Sequence, residues 1–390
     1  YEAARRRPWK PEEFPELADW LARSQELLDA FLAAGQRGHY FYPAVRKDAS
    51  ELSLPRLVLC KGAAKAVRAR ALGRAGRGRH AQAVADLLAL ARLARRIGQD
   101  WTLLASLIAV WVDGGAGDAL GVLAADPATP PEALRALRDG LATPPPGVNM
   151  ARTINEGERL WTLDGVTRAA AAALRGTVPR REGMPHPPEL PVAAVAVDWN
   201  TVLRRVNELF DLHVQALRDA PRARGRAVEA LRQRYDSYEN RFVELGGFLD
   251  SWWGRVLGLL APSSQRSAWA TEFYTCVYAS VLGPGVLLAT QMRQRLRARW
   301  PVLRAGVALR LHVAEGGEVP ATAEAARAAV RDWPDDPMDG EPLRYRRTDD
   351  GFVVYSVGRN RKDDDGLTEP EGTFGDPADI VFRFPADAKP

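Results

Sequence analysis

Apolar residues recur every three or four positions along most of the chain up to Ala314, which is the spacing of amphipathic helices. Pro11–Ala34 opens this pattern, with Pro15 suited to a first helical turn. Arg56–Arg96 contains two such helices, joined through the glycines of Gly73–Gly78. The pattern therefore predicts a mainly α protein. Further helices are predicted at Trp101–Asp113, Asp118–Ala125, Glu132–Leu141, Thr201–Leu217, Arg222–Phe242, Phe248–Leu260, Ala270–Leu282 and Leu287–Ala314.

Glycine and proline runs predict where these helices stop. Gly114–Gly117 is expected to end one helix, Gly283–Gly285 to end another, and Pro301 to kink the last. Thr129 is expected to cap the helix that follows it. The proline-rich segments at 144–147 and 178–191 separate an N-terminal helical bundle from a middle bundle. We predict three domains, at 1–147, 148–286 and 287–390.

The C-terminal segment changes to a strand pattern. Leu343–Arg347 and Phe352–Val357 are rich in β-branched and aromatic residues, and Asp349-Asp350-Gly351 between them forms a turn. An acidic loop follows, and Ile380–Phe384 predicts a last strand. We expect a small antiparallel hairpin module after the helices.

One helical pair resembles a known repeat. Ala69–Leu93 is similar to a tetratricopeptide hairpin, but no regular repeat of that unit occurs along the chain. A solenoid needs several stacked repeats. The predicted fold is therefore an irregular antiparallel helical array with TPR-like packing, followed by a small C-terminal α+β module.

Charge and cysteine content limit the possible functions. The net charge is +5 and the pI is about 9.3, yet the basic residues are dispersed over nearly every predicted helix, so we expect no nucleic-acid partner. Two cysteines exclude a disulfide framework. Cys60 lies on an apolar stripe and is expected to be a small buried hydrophobe, while pairing between Cys60 and Cys276 depends on geometry.

No local motif for catalysis is present in the sequence. The five histidines (His39, His80, His186, His213 and His312) lack zinc-ligand spacing, and no phosphate-binding loop or nucleophile elbow occurs. Glu158 and Trp161 could border a pocket together with the aromatic segment His39–Pro43. Capping by Glu158 and packing by the aromatic segment are the simpler interpretations.

The tail motifs resemble the C-terminal region of the major pseudopilin of type II secretion. They are Asp-Pro-x-x-Gly-x-Pro-Leu-Arg-Tyr from Asp336, Tyr-Ser-Val-Gly-x-Asn from Tyr355 and Ala-Asp-Ile from Ala378. The resemblance implies a pseudopilin-like β-hairpin module. In the family the preceding helix begins as a membrane span, but here it begins with the charged segment Gln291–Arg299, so pilus insertion is not expected.

The same resemblance implies a structural calcium ion enclosed by the acidic loop. Carried over to this sequence, Ser356 and Val357 would supply backbone oxygens, and Asn360 and Asp379 would supply side chains. Calcium prefers six to eight hard oxygen ligands. Calcium is the only cofactor that we expect.

The loop departs from the family pattern in ways that lower its negative charge. Asn360 stands where the family has Asp, and Arg359 and Arg361 flank it. Two interpretations follow, a compensated calcium site or a solvated acidic loop without metal. The residues that could compensate are Asp363, Asp364, Asp365 and Asp376.

The whole chain also resembles a group of exported or membrane-tethered proteins of planctomycete bacteria. The shared features are Arg6-Arg7-Pro8-Trp9, Gly157-Glu158-Arg159 and the tail. The chain starts at Tyr1, and neither a secretory signal nor an uninterrupted apolar run of spanning length is visible. We expect an extracytoplasmic protein, with membrane contact only through an N-terminal segment that this chain does not contain.

Two functions from different classes remain open. The first and favoured one is a non-catalytic scaffold or assembly protein that binds other proteins, or itself, through its helical surface. The alternative is an enzyme or small-ligand-binding protein with a pocket between the helical bundles.

Overall fold

In a computed structural model, the chain is mainly helical and ends in a small sheet, as predicted. The structure describes residues 2–37, 55–142, 147–175, 197–218, 221–251, 260–358, 360–366 and 379–385. The helices are α1 (Pro15–Arg23), α2 (Gln25–Ala34), α3 (Pro55–Ala75), α4 (His80–Ile97), α5 (Leu103–Ala125), α6 (Pro131–Ala142), α7 (Met150–Arg152), α8 (Arg159–Leu174), α9 (Trp199–Arg218), α10 (Pro221–Asp250), α11 (Ser263–Ala314) and α12 (Ala323–Ala329). A π-helical turn, Thr153–Glu158, joins α7 to α8.

The first predicted helix is interrupted. Pro15 occupies the first turn of α1, as expected, but Pro11–Ala34 is not one helix. Ser24 has φ −93° and ψ 5°, outside helical values, and separates α1 from α2. The predicted hairpin of α3 and α4 is confirmed, with its turn at Gly76–Arg79.

The predicted break at Gly114–Gly117 is wrong. α5 passes through these glycines without interruption. A Cβ at position 115 would lie 2.8 Å from a guanidinium nitrogen of Arg68, and one at 117 would lie 3.2 Å from Cδ of Arg299. The glycines let neighbouring side chains approach α5, so tertiary packing outweighs their low helix propensity.

Two more predicted breaks are wrong. α10 continues through Gly246 and Gly247, so Phe248 belongs to α10; residues 252–259 of the predicted next helix lie outside the described residues. α11 continues through Gly283–Gly285, where a break was predicted, and it also contains Pro301. The ring of Tyr235 packs directly against Gly283, where any larger residue would clash with it. This contact favours glycine inside the helix. The predicted domain boundary at 286/287 therefore falls inside one helix.

The start of α6 is confirmed near the predicted position, but its cap is not the expected one. Thr129 is buried, and its hydroxyl donates to the carbonyl oxygen of Leu123 at 2.6 Å. Thr129 therefore joins the end of α5 to the loop before α6.

The core is centred on α5, which packs against α3, α4 and α11. A single cluster of buried apolar residues contains Trp9, Leu87 and Leu120 of the N-terminal helices. It also contains Val206 of α9 and Phe352 of the C-terminal sheet. Apolar burial of this kind is the main stabilising contribution to such a fold.

The sheet has three antiparallel strands in the order β1 (Arg344–Arg347), β2 (Phe352–Ser356) and β3 (Ile380–Phe384). The predicted hairpin and last strand are confirmed. Arg347 pairs with Phe352, and the backbone N–H of Thr348 donates to the carbonyl of Gly351 across the turn. Every residue of the central strand β2 is buried.

The sheet is attached to α11. Gly306 leaves room for the ring of Phe382, with which a larger side chain would clash. The guanidinium of Arg310 lies 4.4 Å from the ring centroid of Phe384. One helix thus connects the helical array to the C-terminal module.

Two helices of the described residues, α5 and α11, are long and apolar enough to cross a membrane by length and composition. The apolar window of α5 is 67% buried within the protein, and that of α11 is 57% buried. A core helix of a globular protein gives the same signal, so the signal is weak.

Candidate functional site

Asp336, the first residue of the Asp-Pro motif, organises the entrance to the sheet. It is fully buried, and its carboxylate accepts from the backbone N–H of Met338 (2.9 Å) and of Val357 (2.9 Å) and from the Ser356 hydroxyl (2.8 Å). Arg344 also faces it, with 3.4 Å between the closest nitrogen and oxygen. Burial raises the pKa of Asp336, and the three hydrogen bonds oppose that rise. Both oxygens of this carboxylate are therefore satisfied within the protein.

Sequence reasoning missed this role of Asp336. It identified the motif but assigned no function to the carboxylate. The available signal was Asp-Pro followed by Gly340, which adopts φ +83° in the turn, with Met338 between them. Such an Asx turn is typical of an aspartate that accepts from backbone N–H groups two residues ahead.

The acidic loop, which comprises residues 360–366 in the described part, is held against β2. The Tyr355 hydroxyl donates to Asp363 at 2.9 Å, and Asp363 also accepts from the backbone N–H of Asp365. Gly366 ends the loop with φ +73°, and a Cβ there would lie 3.2 Å from Cγ1 of Val353. Glycine is therefore required at position 366 for both its backbone conformation and its packing.

Asp379 lies at the base of the acidic loop and is only 5% exposed. Its Oδ2 accepts from the backbone N–H of Gly366 at 2.8 Å, while its Oδ1 is buried without a hydrogen-bond partner. Burial, together with repulsion from Asp364 and Asp363, raises the pKa of Asp379 to about 6. The negative charge of Asp379 is therefore only partly compensated by the protein.

The structure brings three of the four predicted calcium ligands to one end of the sheet. Ser356 pairs with Ile380 at the end of the β2–β3 ladder, so Val357 and Asp379 both lie next to that pair. Asn360 is engaged within the loop instead. Its side chain donates to Asp364 at 2.7 Å and accepts from the backbone N–H of Lys362 at 3.0 Å.

The groups at the base of the acidic loop supply some, but not all, of the ligands that calcium needs. The buried unpartnered Oδ1 of Asp379 is an available hard ligand, and Asp363 and Asp364 place further negative charge near it. Among the described residues, no three His, Cys, Asp or Glu side chains are arranged to hold a metal by themselves. Backbone carbonyls at the end of β2 would have to complete the coordination. Arg359 and Asp376 lie outside the described residues.

The Gly157-Glu158-Arg159 segment, which contains the candidate pocket residue Glu158, joins helices. A side chain at Gly157 would clash with the carbonyl of Trp101. Glu158 accepts from the backbone N–H of Leu103 at 3.0 Å, so it supplies an acceptor at the start of α5. Burial raises the pKa of Glu158, and the Leu103 N–H opposes that rise. The capping interpretation of Glu158 thus agrees with its contacts.

Arg159 extends the same junction to α9. Its guanidinium forms an ion pair with Asp211 and lies 5.7 Å from the ring centroid of Phe210. The aromatic segment His39–Pro43 that was expected to contribute to a pocket here lies outside the described residues.

The described histidines and cysteines lie in packed surroundings. His213 is buried, and its Nδ1 lies 3.1 Å from the Tyr235 hydroxyl. Burial lowers the pKa of His213 to about 4. Cys60 and Cys276 are both free thiols, which settles the question of pairing, and Cys276 is buried whereas Cys60 is partly exposed.

In the comparisons with known proteins, no family model, no curated protein and no solved structure matches this chain.

Proposed function

We propose that the protein is a non-catalytic scaffold or assembly protein of the extracytoplasmic space, which binds a protein partner or further copies of itself through its helical surface. The observation that carries this proposal is a set of exposed large apolar side chains around the Glu158 junction. Leu160 is 65% exposed there. The other members of the set are Trp101, Leu104 and Leu212.

These four residues are connected through the contacts of the junction. Glu158 bonds to Leu103, which precedes Leu104, and Arg159 pairs with Asp211, which precedes Leu212. The junction therefore joins the starts of α5 and α8 to the middle of α9. Large apolar side chains left exposed beside one helix junction suit a protein interaction surface.

The test compares Leu160→Asp with Leu174→Asp, which changes an equally apolar and more exposed residue at the other end of α8. Sedimentation velocity measures self-association, and crosslinking in extract of the native source followed by affinity purification measures partner capture. We expect Leu160→Asp to abolish either self-association or partner capture, and Leu174→Asp to preserve whichever of them the wild type shows. Equal behaviour of the two variants, or a wild-type protein that stays monomeric and uncrosslinked, contradicts the proposal.

We further propose that calcium stabilises the C-terminal module. Asp379 would bind the ion through Oδ1, with Asp363 or Asp364 and the carbonyls of Ser356 and Val357 nearby. A bound dication would neutralise the carboxylates that repel Asp379. Its role would be structural, holding the acidic loop against β2.

Calorimetric titration with calcium tests this site. Asp379→Asn removes the charged ligand, and Asp349→Asn removes one charge from the exposed hairpin turn of the same sheet. We expect heat from the wild type and from Asp349→Asn, with none from Asp379→Asn. Absence of heat in the wild type, or equal heat in all three proteins, identifies a solvated acidic loop instead.

A further inference from the structure

A cavity of about 320 Å³ lies between α1 and the turn that joins α3 to α4. Trp9 and apolar residues of α1 form one wall. Among the described residues that line it, no side chain is a carboxylate. The opposite wall carries four arginines, Arg70, Arg74, Arg77 and Arg79, and we call this space the arginine cavity.

Two of the arginines, Arg70 and Arg74, are held in place by carboxylates of neighbouring helices. Asp86 of α4 accepts from Nε of Arg70 at 3.0 Å and from a second nitrogen of Arg70 at 3.1 Å. Arg74 donates to Asp86 at 2.6 Å, and Arg70 also donates to Asp29 of α2 at 2.7 Å. Asp86 and Arg70 are both buried, so this wall is rigid and its acidic partners lie away from the cavity lining.

The other two arginines are not paired. The guanidinium groups of Arg77 and Arg79 are exposed and make no hydrogen bond or ion pair with another described residue. Burial and then repulsion from Arg79 and Arg74 lower the pKa of Arg77, against a weaker attraction from Glu12. Positive charge is therefore concentrated at this end of the cavity.

The start of α4 adds to this excess. Arg79 occupies the N-cap position of this 18-residue helix, no side chain caps its first turn, and that turn contains no acidic residue. Helix N-termini ordinarily carry Ser, Thr, Asp or Asn and favour negative charge. Arg79 and Gln82 of this helix start line the cavity together with the other arginines, an arrangement that suits an anion.

We propose that the arginine cavity binds a small organic phosphate, whose phosphate group is held by Arg77, Arg79 and the first turn of α4. Guanidinium groups form paired, charge-assisted hydrogen bonds with phosphate oxygens. The cavity is larger than a phosphate ion, and its wall at Trp9 would contact the rest of the ligand. This proposal is independent of both the protein-binding surface and the calcium site.

The experiment is calorimetric titration of the full chain with phenyl phosphate and with inorganic phosphate, at ionic strength matched with sodium chloride. The variants are Arg77→Gln and Arg79→Gln, and the control is Arg92→Gln, which removes an exposed charge from the middle of α4. All three residues are exposed, so the variants should fold, and circular dichroism checks this.

We expect phenyl phosphate to bind the wild type and Arg92→Gln equally, with inorganic phosphate binding more weakly. Arg77→Gln and Arg79→Gln should each weaken binding by roughly tenfold or more, as the loss of a charge-assisted hydrogen bond predicts. Equal affinities in all four proteins overturn the proposal. So does the absence of binding in the wild type with both probes and with the vesicles described next.

A second arm identifies the source of the phosphate. Vesicles of phosphatidylcholine, with and without phosphatidic acid, are sedimented with each protein. Binding to phosphatidic acid that depends on Arg79, with no binding of free phenyl phosphate, identifies a lipid headgroup as the ligand. Binding of free phenyl phosphate that depends on Arg79 identifies a soluble ligand.

Discussion

The arginine cavity and the acidic loop both leave charge uncompensated, but with opposite sign and by different means. In the cavity, Asp86 and Asp29 compensate the buried Arg70 and the half-buried Arg74, and the excess positive charge remains on the exposed Arg77 and Arg79. In the loop, the excess remains on Asp379, which is buried. An exposed excess is solvated and costs little, whereas a buried one lowers stability until a proton or a cation arrives.

In the helical interior, a buried carboxylate has a cationic partner. Asp113 of α5 faces Arg95 at 3.4 Å and accepts from the indole N–H of Trp300 at 3.0 Å. The Arg95 guanidinium also lies 4.7 Å from the ring centroid of Trp300. Removing one member of such a set leaves the other charge buried and unpaired. Asp379 differs from Asp113 because the charged groups that act on it, Asp363 and Asp364, carry the same sign as its own carboxylate.

The largest change in stability is expected at Asp336, the compensated carboxylate of the module that also contains Asp379. Asp336→Ala removes the acceptor of three hydrogen bonds and leaves their donors buried. We expect a loss of about 3–5 kcal/mol in the free energy of unfolding. Urea unfolding measures it. The neighbouring exposed Asp335→Ala should change stability by less than about 0.5 kcal/mol, and a similar loss in both variants would refute the assigned role.

Because of Asp379, we expect the free energy of unfolding to depend on pH, with an effect of intermediate size. Its pKa is about 6 in the folded protein and near 3.8 in the unfolded chain, so the folded state binds the proton more tightly. Stability from this group is present below pH 3.8 and is lost as pH rises through 6, by on the order of 2 kcal/mol. Urea unfolding in the presence of a chelator, from pH 4 to pH 7, measures this loss.

The control for this pH dependence is Asp379→Asn. It should flatten that part of the stability profile, whereas Asp349→Asn should retain it. If calcium binds as proposed, its addition to the wild type should restore stability above pH 6 and have no effect on Asp379→Asn. An identical profile for wild type and Asp379→Asn would show that another group titrates.

The sheet could be predicted from the sequence because its signals are local. The turn formers Asp349-Asp350-Gly351 and the β-branched and aromatic residues of Phe352–Val357 predict the hairpin, and Ile380–Phe384 matches β3. Both ends of α6 and of α9 were predicted to within two residues for the same reason. The TPR-like and pseudopilin-like interpretations go beyond these elements and remain predictions.

The helix breaks could not be predicted correctly, because the outcome depends on distant residues. Gly115 lies within α5 where the side chain of Arg68 of α3 packs closely against the helix. Gly283 lies within α11 where the ring of Tyr235 of α10 does the same. The candidate site follows the same division. The pseudopilin resemblance grouped Ser356 and Val357 with Asp379, but the partners of Asn360 and the burial of Asp336 follow from tertiary contacts.

Gly366 connects the conformation of the acidic loop to β2. Gly366→Ala places a Cβ against Val353 at a positive φ, whereas Gly340→Ala meets a positive φ with open space around it. We expect a loss of about 1 kcal/mol for Gly340→Ala from backbone strain alone, and a larger loss of about 2 kcal/mol for Gly366→Ala. Thermal unfolding measures both, and equal losses would show that the loop does not pack on β2.

The smallest expected effect has the opposite sign and lies in the arginine cavity. Arg79→Ser supplies the missing N-cap of α4 and removes a cation from its positive end, so stability without ligand should rise by about 0.5–1 kcal/mol. Arg92→Ser, in the exposed middle of α4, should lower stability by about 0.5 kcal/mol through helix propensity. Because the same Arg79→Ser change should abolish stabilisation by phenyl phosphate, a rise in stability without ligand combined with a loss of ligand response indicates that Arg79 serves binding at the expense of the helix. A fall in stability for Arg79→Ser would mean that this arginine supports the fold itself.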